Sequence, residues 1–288
     1  MAMDKDNSVR LPIAEGILYP SGPVELEGTV DSLLAGARKD MSAVPIQENA
    51  VPRVLIVPHA SYELAGAVIA AAFAMLEKPA VKLPYDRVVL LSTVHRDHSS
   101  HIYIPGFRYF RIPGADLEID GSSISRLAGL DPLFTADDIP FMEEHAQEII
   151  LPFIHRCVPR SKIIPVMLGD NSNRTASRAA RALRNIFDSG SQGALFVVST
   201  NISGFSPAET AREQAEAFVS AITSEPEEIP VRLAAMGRGS ICGTGAVQCA
   251  VECCGGSLGF QKIMSGSSGP VQPEQREVRY GAFCGYSP

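Results

Sequence analysis

Two histidines and one cysteine have the residue types and positions of metal ligands. His59 follows the apolar run 54–57 after a single proline, and His95 lies three residues beyond Ser92, which ends a second apolar run. Cys242 stands in the glycine-rich segment GRGSICGTGA, just before a stretch of helical character. A helix N-terminus lowers the pKa of a thiol and favours its thiolate. Two imidazoles and a thiolate suit iron, copper or zinc, with coordination positions left open.

The apolar runs that precede the histidines predict strands buried on both faces, because they are continuous rather than alternating. Pro58 closes the first run, since proline cannot donate to a sheet ladder. Stretches of helical periodicity follow several of these runs. Predicted strands cover 54–57, 85–92, 161–168 and 193–199, and predicted helices cover 62–77, 173–188 and 208–223. The sequence therefore predicts an α/β fold with a mostly parallel central sheet and helices on both faces.

In such a sheet, ligands bind beyond the carboxyl ends of the strands. His59 and His95 follow two of the predicted strands, and Thr200 and Asn201 follow a third. These side chains are expected to meet at one edge of the sheet. With Cys242, the two histidines are candidate ligands for one divalent transition metal, and a structural role for each histidine remains the alternative at this point.

The remaining segments complete a single predicted domain over 1–288. Residues 99–120 mix polar and apolar side chains around two Pro-Gly turns, which predicts a hairpin outside the main pattern. The C-terminal stretch after Leu258 predicts two strands joined by a loop rich in Gly, Ser and Pro. No long linker and no internal repeat divides the chain.

Composition excludes some classes of partner. The 288 residues carry a formal net charge of -7 without a Lys/Arg-rich run, which argues against a nucleic-acid surface. No apolar stretch approaches the roughly 20 residues of a membrane span. The N-terminus MAMDKDNSVR lacks the apolar core of a signal peptide. We therefore expect a cytoplasmic protein, with six reduced cysteines and no nucleic-acid or membrane partner.

Other histidines are interpreted differently. Glu144, His145 and Glu148 fall within about one helical turn, and His145 and Glu148 would share a face. One interpretation makes His145 a proton donor or acceptor of the pocket, and the other makes this a solvated helix face. His98 and His101, in HRDHSSH, are assigned to a polar loop and not to the metal.

Seven segments, in this order and at similar spacing, resemble the Memo family. They are LPIAEGILYPSGPVEL, VPHASYELAG, STVHRDH, EEHAQEIILPF, KIIPVMLGD, LFVVSTNISGF and GSICGTGA, and they span about residues 11 to 286. That family is protein B of the AmmeMemoRadiSam set and is similar in fold to class III extradiol (LigB-type) dioxygenases. The resemblance implies a metal pocket at His59, His95 and Cys242, with Fe(II) as the expected metal and Cu or Zn as alternatives. It also implies other AmmeMemoRadiSam components as partners.

The chain departs from the family pattern at one end of this pocket. Where the family reads Ser-Ser-Asp-x-x-His-[Tyr/Trp], this chain reads STNISGF, so Asn201, Gly204 and Phe205 replace the carboxylate, the imidazole and the aromatic residue. PHAGY has become PHASY, which introduces Ser61. The resemblance thus implies a remodelled pocket in which Ser61, Asn201 and Glu144 contact the ligand, with His145 as the expected catalytic residue.

Three functions remain open at this point. The first is a metal-dependent oxidoreductase related to the extradiol dioxygenases. The second is a module that binds a small-molecule or peptide ligand without turnover, because an asparagine and a glycine supply no acid or base. The third is a hydrolase with Cys242 as nucleophile and His59 or His95 as base.

Overall fold

The structure is a computed structural model that describes residues 8–40, 51–77, 85–96, 99–187, 193–236, 241–256, 258–269 and 275–286. Within these residues the helices are α1 Pro23–Asp40, α2 Tyr62–Ala74, α3 Gly121–Leu130, α4 Ile139–Glu143, α5 Leu151–Cys157, α6 Asn173–Ile186, α7 Ala208–Ile222, α8 Ile229–Ala235 and α9 Thr244–Cys253. Short 3-10 turns cover Met75–Glu77, Glu148–Ile150 and Pro226–Glu228. None of the described helices is both long enough and apolar enough to cross a lipid bilayer.

The strands of the described residues are β1 Val9–Arg10, β2 Pro52–Val57, β3 Arg87–Thr93, β4 Ile102–Ile104, β5 Tyr109–Ile112, β6 Ala115–Glu118, β7 Phe134–Ala136, β8 Lys162–Leu168, β9 Ala194–Ser199, β10 Ser206–Pro207, β11 Gly259–Ser267, β12 Arg276–Glu277 and β13 Arg279–Tyr286. Eight of them form one sheet in the order β11-β13-β2-β9-β3-β8-β4-β7. The four central strands, β2, β9, β3 and β8, run parallel. Antiparallel pairs lie on either side, at β13 with β2 and at β8 with β4.

Strand β2 shows why the apolar runs are continuous. Val54 and Ile56 pack into the core on one face of the sheet, and Leu55 and Val57 pack into the core on the other. Helices α1, α2 and α5 cover the second face, whereas α3, α6, α7, α8 and α9 cover the first. The predicted α/β fold with helices on both faces is confirmed, and its sheet is parallel at the centre and mixed at the edges.

The two outlying segments also form the predicted types of structure. Strands β5 and β6 form an antiparallel hairpin within 99–120, and β1 extends it into a separate three-stranded sheet. Strands β11 and β13 pair antiparallel along their length, and β13 inserts between β11 and β2. The carboxyl ends of β2, β9 and β3 therefore lie next to one another, in the centre of the sheet.

Candidate metal centre

His59 is held at the carboxyl end of β2 by contacts that fix its tautomer. Its Nδ1 atom lies 3.0 Å from Ser199 Oγ, and that hydroxyl donates its own proton to the carbonyl of Ala146 at 2.6 Å. Because the hydroxyl has one proton, Nδ1 must donate to Ser199, which leaves the Nε2 lone pair available. Nε2 lies 3.6 Å from Cys242 Sγ.

His95, at the carboxyl end of β3, is oriented by the carboxylate of Glu144. Its Nδ1 atom lies 2.7 Å from Glu144 Oε2, and its backbone N–H donates to Oε1 at 2.7 Å. The opposite side of the ring contacts Cys242. The Cys242 thiolate, followed by Glu144, raises the pKa of His95 to about 10 against the opposing effect of burial. Burial raises the pKa of Glu144, but its bonds to His95 outweigh this and lower it.

Cys242 enters from the loop before α9, and close packing fixes that loop. The side chain of Asn171 donates to the carbonyl of Cys242 at 2.9 Å and accepts from Gly245 N at 3.1 Å. A Cβ atom on Gly243 would lie 2.4 Å from the Cβ of Thr200, so only glycine fits there. The glycines of this segment therefore allow close approach to the ends of β8 and β9.

Three donor atoms converge in this way. One ligand atom from each of His59, His95 and Cys242 lies within 4.8 Å of the others. Burial of the thiol opposes ionisation, but the two imidazoles hold the pKa of Cys242 well below its usual value of 9.0. Both Nδ1 atoms are occupied by oxygen acceptors, so both Nε2 atoms and a thiolate face one point. This donor set fits a transition metal ion.

A cavity of about 660 Å³ opens onto the three ligands. It lies beyond the carboxyl ends of the four central strands, as expected for a sheet of this type. Its lining residues are His59, Thr93, Val94, His95, Gly169, Asp170, Asn171, Asn201, Ser203, Gly204, Phe205, Ile241, Cys242 and Val278. The space is sufficient for a small organic ligand beside the three donor atoms.

Comparison with known proteins assigns the family. The family model described as "Memo-like protein" matches residues 10–282. The chain belongs to the Memo family. A MEMO1 family protein of Aquifex aeolicus is 29% identical over 215 residues, which is 74% of each chain. Another, from Caldivirga maquilingensis, is 24% identical over 281 residues, covering 96% of this chain and 99% of the relative.

A solved structure shows the same fold. The crystal structure of the uncharacterized protein JW3007 from Escherichia coli K12 superposes with a TM-score of 0.54 at 12% identity. The match covers 80% of this Memo-family chain and 99% of that one. Similarity at this level of identity concerns the architecture alone.

The predicted helical placement of His145 is wrong. Helix α4 ends at Glu143, and Glu144 is extended, with φ -102° and ψ 131°. His145 lies in the turn that follows, with its ring centroid 6.0 Å from that of His59 and 6.4 Å from that of His95. The helix ends here because the Glu144 carboxylate turns inward to bind His95. Burial, followed by the neighbouring His59 imidazole, lowers the pKa of His145.

The remaining predicted residues occupy different places. Asn201 lines the cavity, and its Oδ1 accepts the backbone N–H of His59 at 3.2 Å. Gly204 and Phe205 line the cavity at the same end, and the Phe205 ring is half exposed. Ser61 instead lines a separate depression beside Tyr19, because the chain has already turned into α2 at this point. The expected position of its hydroxyl near the metal pocket is therefore corrected.

The sequence assigns two further histidines to a polar loop. His98 lies outside the described residues, and His101 is exposed with its ring against Tyr103. Sequence reasoning missed Ser199 and Asn171, which orient His59 and the Cys242 loop. The strand-end rule that selected His59 and His95 could have found both, since Ser199 ends β9 and Asn171 follows β8.

Proposed function

We propose that this Memo-family protein binds one Fe(II) ion through His59, His95 and Cys242 and acts as an oxidoreductase related to the extradiol dioxygenases. The observation that carries the proposal is the convergence of three donor atoms whose imidazoles are both oriented from behind. Orientation of a ligating histidine by an acceptor on its other nitrogen is typical of metal sites. Copper and zinc suit the same donor set, so the metal content of the protein decides among them.

When bound, the metal supplies a redox-active centre with open coordination positions beside the cavity. The chain supplies orientation and proton transfer. Glu144 accepts a hydrogen bond from Nδ1 of His95, and Ser199 accepts one from Nδ1 of His59, so both rings direct Nε2 toward the metal position. The lowered pKa keeps His145 neutral at pH 7, so that it can accept a proton beside the rings of His59 and His95, which it contacts.

The end of the cavity that Asn201 and Gly204 line favours a second function. Asn201 uses its carbonyl oxygen to bind the backbone of His59, and Gly204 has no side chain. No acid or base from these two positions acts on a ligand. The second candidate is therefore a module that binds a small molecule or a peptide in this cavity without turnover. The third, a hydrolase with Cys242 as nucleophile, requires an active thiolate in metal-free protein.

The experiment is metal analysis by mass spectrometry on protein purified anaerobically with iron supplied. Wild type is compared with His59→Ala, His95→Ala and Cys242→Ser, and His101→Ala serves as a matched control because His101 is exposed and outside the cluster. We expect near-stoichiometric iron in wild type and in His101→Ala and its loss from the other three. Oxygen consumption is then measured on loaded protein.

Each alternative has its own outcome. Detection of stoichiometric copper or zinc instead of iron would change the identity of the proposed metal and leave the proposed site unchanged. Wild type without metal would overturn the proposal. In that case thermal stabilisation by a ligand, with no product formed, supports the binding module. Esterase or amidase activity of metal-free protein that is lost in Cys242→Ser supports the hydrolase.

A further inference from the structure

A buried ion pair lies directly behind the segment that orients both histidines. Arg10, in the two-residue strand β1, is fully buried, and its Nη1 atom contacts Glu148 Oε2. Glu148 is fully buried as well. Burying two opposite charges costs desolvation free energy, and such a pair is often no more stabilising than apolar residues of the same volume. The main contribution of this ion pair to the protein is therefore the geometry that it imposes on the neighbouring segment.

The carboxylate of Glu148 is saturated by the N-terminal segment. Besides Arg10, it accepts the hydroxyl of Tyr19 at 2.6 Å and the backbone N–H of Ala14 at 2.8 Å. The backbone N–H of Ile13 lies 3.0 Å from its second oxygen. Residues 10–19 thus enclose Glu148 and fix the start of the 3-10 turn Glu148–Ile150.

The other donors of Arg10 reach the opposite end of the same segment. Nε donates to the carbonyl of Phe141 at 2.9 Å, and Nη2 donates to the carbonyl of Glu144 at 3.1 Å. The guanidinium also lies 5.0 Å from the centroid of the Phe110 ring. One planar side chain therefore holds residues 141, 144 and 148 in register, which a flexible ammonium cannot do.

The segment held in this way carries the contacts that orient both metal ligands. The Glu144 carboxylate binds His95, and the Ala146 carbonyl accepts from Ser199, which in turn binds His59. Gln147 anchors the inner side of the segment through its Nε2 atom, which donates to the carbonyl of Leu90 at 3.0 Å. Glu144 and Ala146 lie outside helix α4 and the 3-10 turn, so side chains largely determine their positions.

We propose that Arg10 and Glu148 are positioning residues that set the metal affinity of the site by fixing Glu144 and Ala146. The N-terminal segment 10–19 contributes no ligand but determines how the two imidazoles face the metal. This inference rests on the proposed metal site and adds that the metal affinity of that site depends on a remote ion pair.

The test is anaerobic titration with Co(II), which reports affinity by competition with a chelator and geometry by its visible absorption spectrum. Arg10→Lys keeps the charge and loses the planar fork, and Tyr19→Phe removes one neutral donor from Glu148. Asp131→Asn is the matched control, because Asp131 forms a two-bond ion pair with Arg178 away from the site, with distances of 2.6 and 2.7 Å. We expect Arg10→Lys to weaken Co(II) binding about 10-fold with an altered spectrum, as loss of a partner behind a ligand does. Tyr19→Phe should change the Co(II) affinity and the spectrum in the same direction but by less. Asp131→Asn should leave the affinity and the spectrum unchanged.

The outcomes separate this inference from the proposed function. Absence of Co(II) binding in wild type would overturn both. Wild-type binding with equal affinity and spectrum in Arg10→Lys and Tyr19→Phe would overturn the positioning role and leave the metal site standing. If Arg10→Lys does not fold, judged by circular dichroism and gel filtration, Tyr19→Phe carries the test. Loss of folded protein in both variants would assign a purely structural role to the pair and overturn the inference.

Discussion

His95 and Glu144 are joined twice: the carboxylate accepts the backbone N–H of His95 through one oxygen and lies 2.7 Å from its ring Nδ1 through the other. One side chain thereby fixes both the chain direction at the end of β3 and the rotation of the imidazole. Glu144 lies outside the helix that the sequence predicts, in an extended conformation, and makes both contacts from there.

Replacing Glu144 with Gln tests this double contact. The amide keeps one acceptor oxygen and places an NH₂ group against the second donor of His95. We expect metal binding to weaken by about 10-fold to 100-fold and the pKa of His95 to fall, since Glu144 helps to raise it. Isothermal titration with the metal and a histidine NMR titration of metal-free protein measure the two effects. Glu143→Gln, a change at the neighbouring exposed residue, is the control, and an equal loss of affinity in both variants would contradict the prediction.

The thiol of Cys242 should remain reactive at pH values where an ordinary thiol is protonated and unreactive. The imidazoles of His59 and His95 hold its folded pKa below 9.0, so the thiolate persists as the pH falls from 9.0 toward neutrality. Alkylation of metal-free protein by iodoacetamide, followed by peptide mass spectrometry, should therefore show a nearly constant rate over that range. Cys284 provides an internal comparison, because burial raises its pKa to about 12. A rate that falls about tenfold per pH unit would show an ordinary thiol, and bound metal should protect Cys242.

Gly243→Ala should destabilise the protein and displace Cys242. The added Cβ would meet the side chain of Thr200 at 2.4 Å, and backbone must shift to relieve the contact. Overpacking of this kind costs about 1–3 kcal/mol of unfolding free energy. Gly28→Ala is the control, because Gly28 lies within α1 with no atom near the new Cβ, and it should stabilise by about 0.5–1 kcal/mol. Urea denaturation compares both with wild type, and equal stability of the two variants would contradict the close packing.

Asp120 gives a pH dependence remote from the candidate metal centre. Burial alone would raise its pKa, but bonds from Ser122, Arg87 and Ser123 lower it below the ordinary value of 3.8. A carboxyl with a depressed folded pKa contributes stability above its unfolded pKa and loses it as the pH falls through the folded value. The difference in unfolding free energy between wild type and Asp120→Asn should thus be constant above about pH 5 and shrink below 3.8. Urea denaturation of wild type and Asp120→Asn at several pH values across that range measures this difference.

Asp31→Asn is the matched control for that experiment. Asp31 pairs with Arg156 at 2.6 Å, but the side chains of both residues are more than two-fifths exposed. An exposed pair of this kind contributes little to stability. We expect a small difference from wild type at every pH. A pH profile like that of Asp120→Asn would show a general acid effect instead of a contribution from Asp120.

The strands and the cluster could be predicted because both follow from local sequence. A continuous apolar run that ends at a proline fixes the place of His59, and the parallel arrangement brings the ends of β2 and β3 to one edge. The contacts behind the ligands could not be predicted in this way. Arg10 and Glu148 are separated by 138 residues, and nothing in their flanking residues indicates the pairing.

The error in predicting a helix at Glu144 and His145 has a physical cause of the same kind. Helical spacing of Glu144, His145 and Glu148 satisfies the local pattern, but tertiary contacts override it. The Glu144 carboxylate binds His95 and the Glu148 carboxylate binds Arg10, two partners from distant parts of the chain. A helix would place both carboxylates on nearly the same face, so the chain unwinds between them.

The insertion of β13 between β11 and β2 has a consequence for biosynthesis. Phe283 pairs with Ile56 in β2, the strand that delivers His59, so β2 gains this neighbour only after residues 279–286 have left the ribosome. Such contacts between distant parts of a chain form slowly. The cavity beyond β2, which Val278 helps to line, is therefore completed only after β13 has been translated.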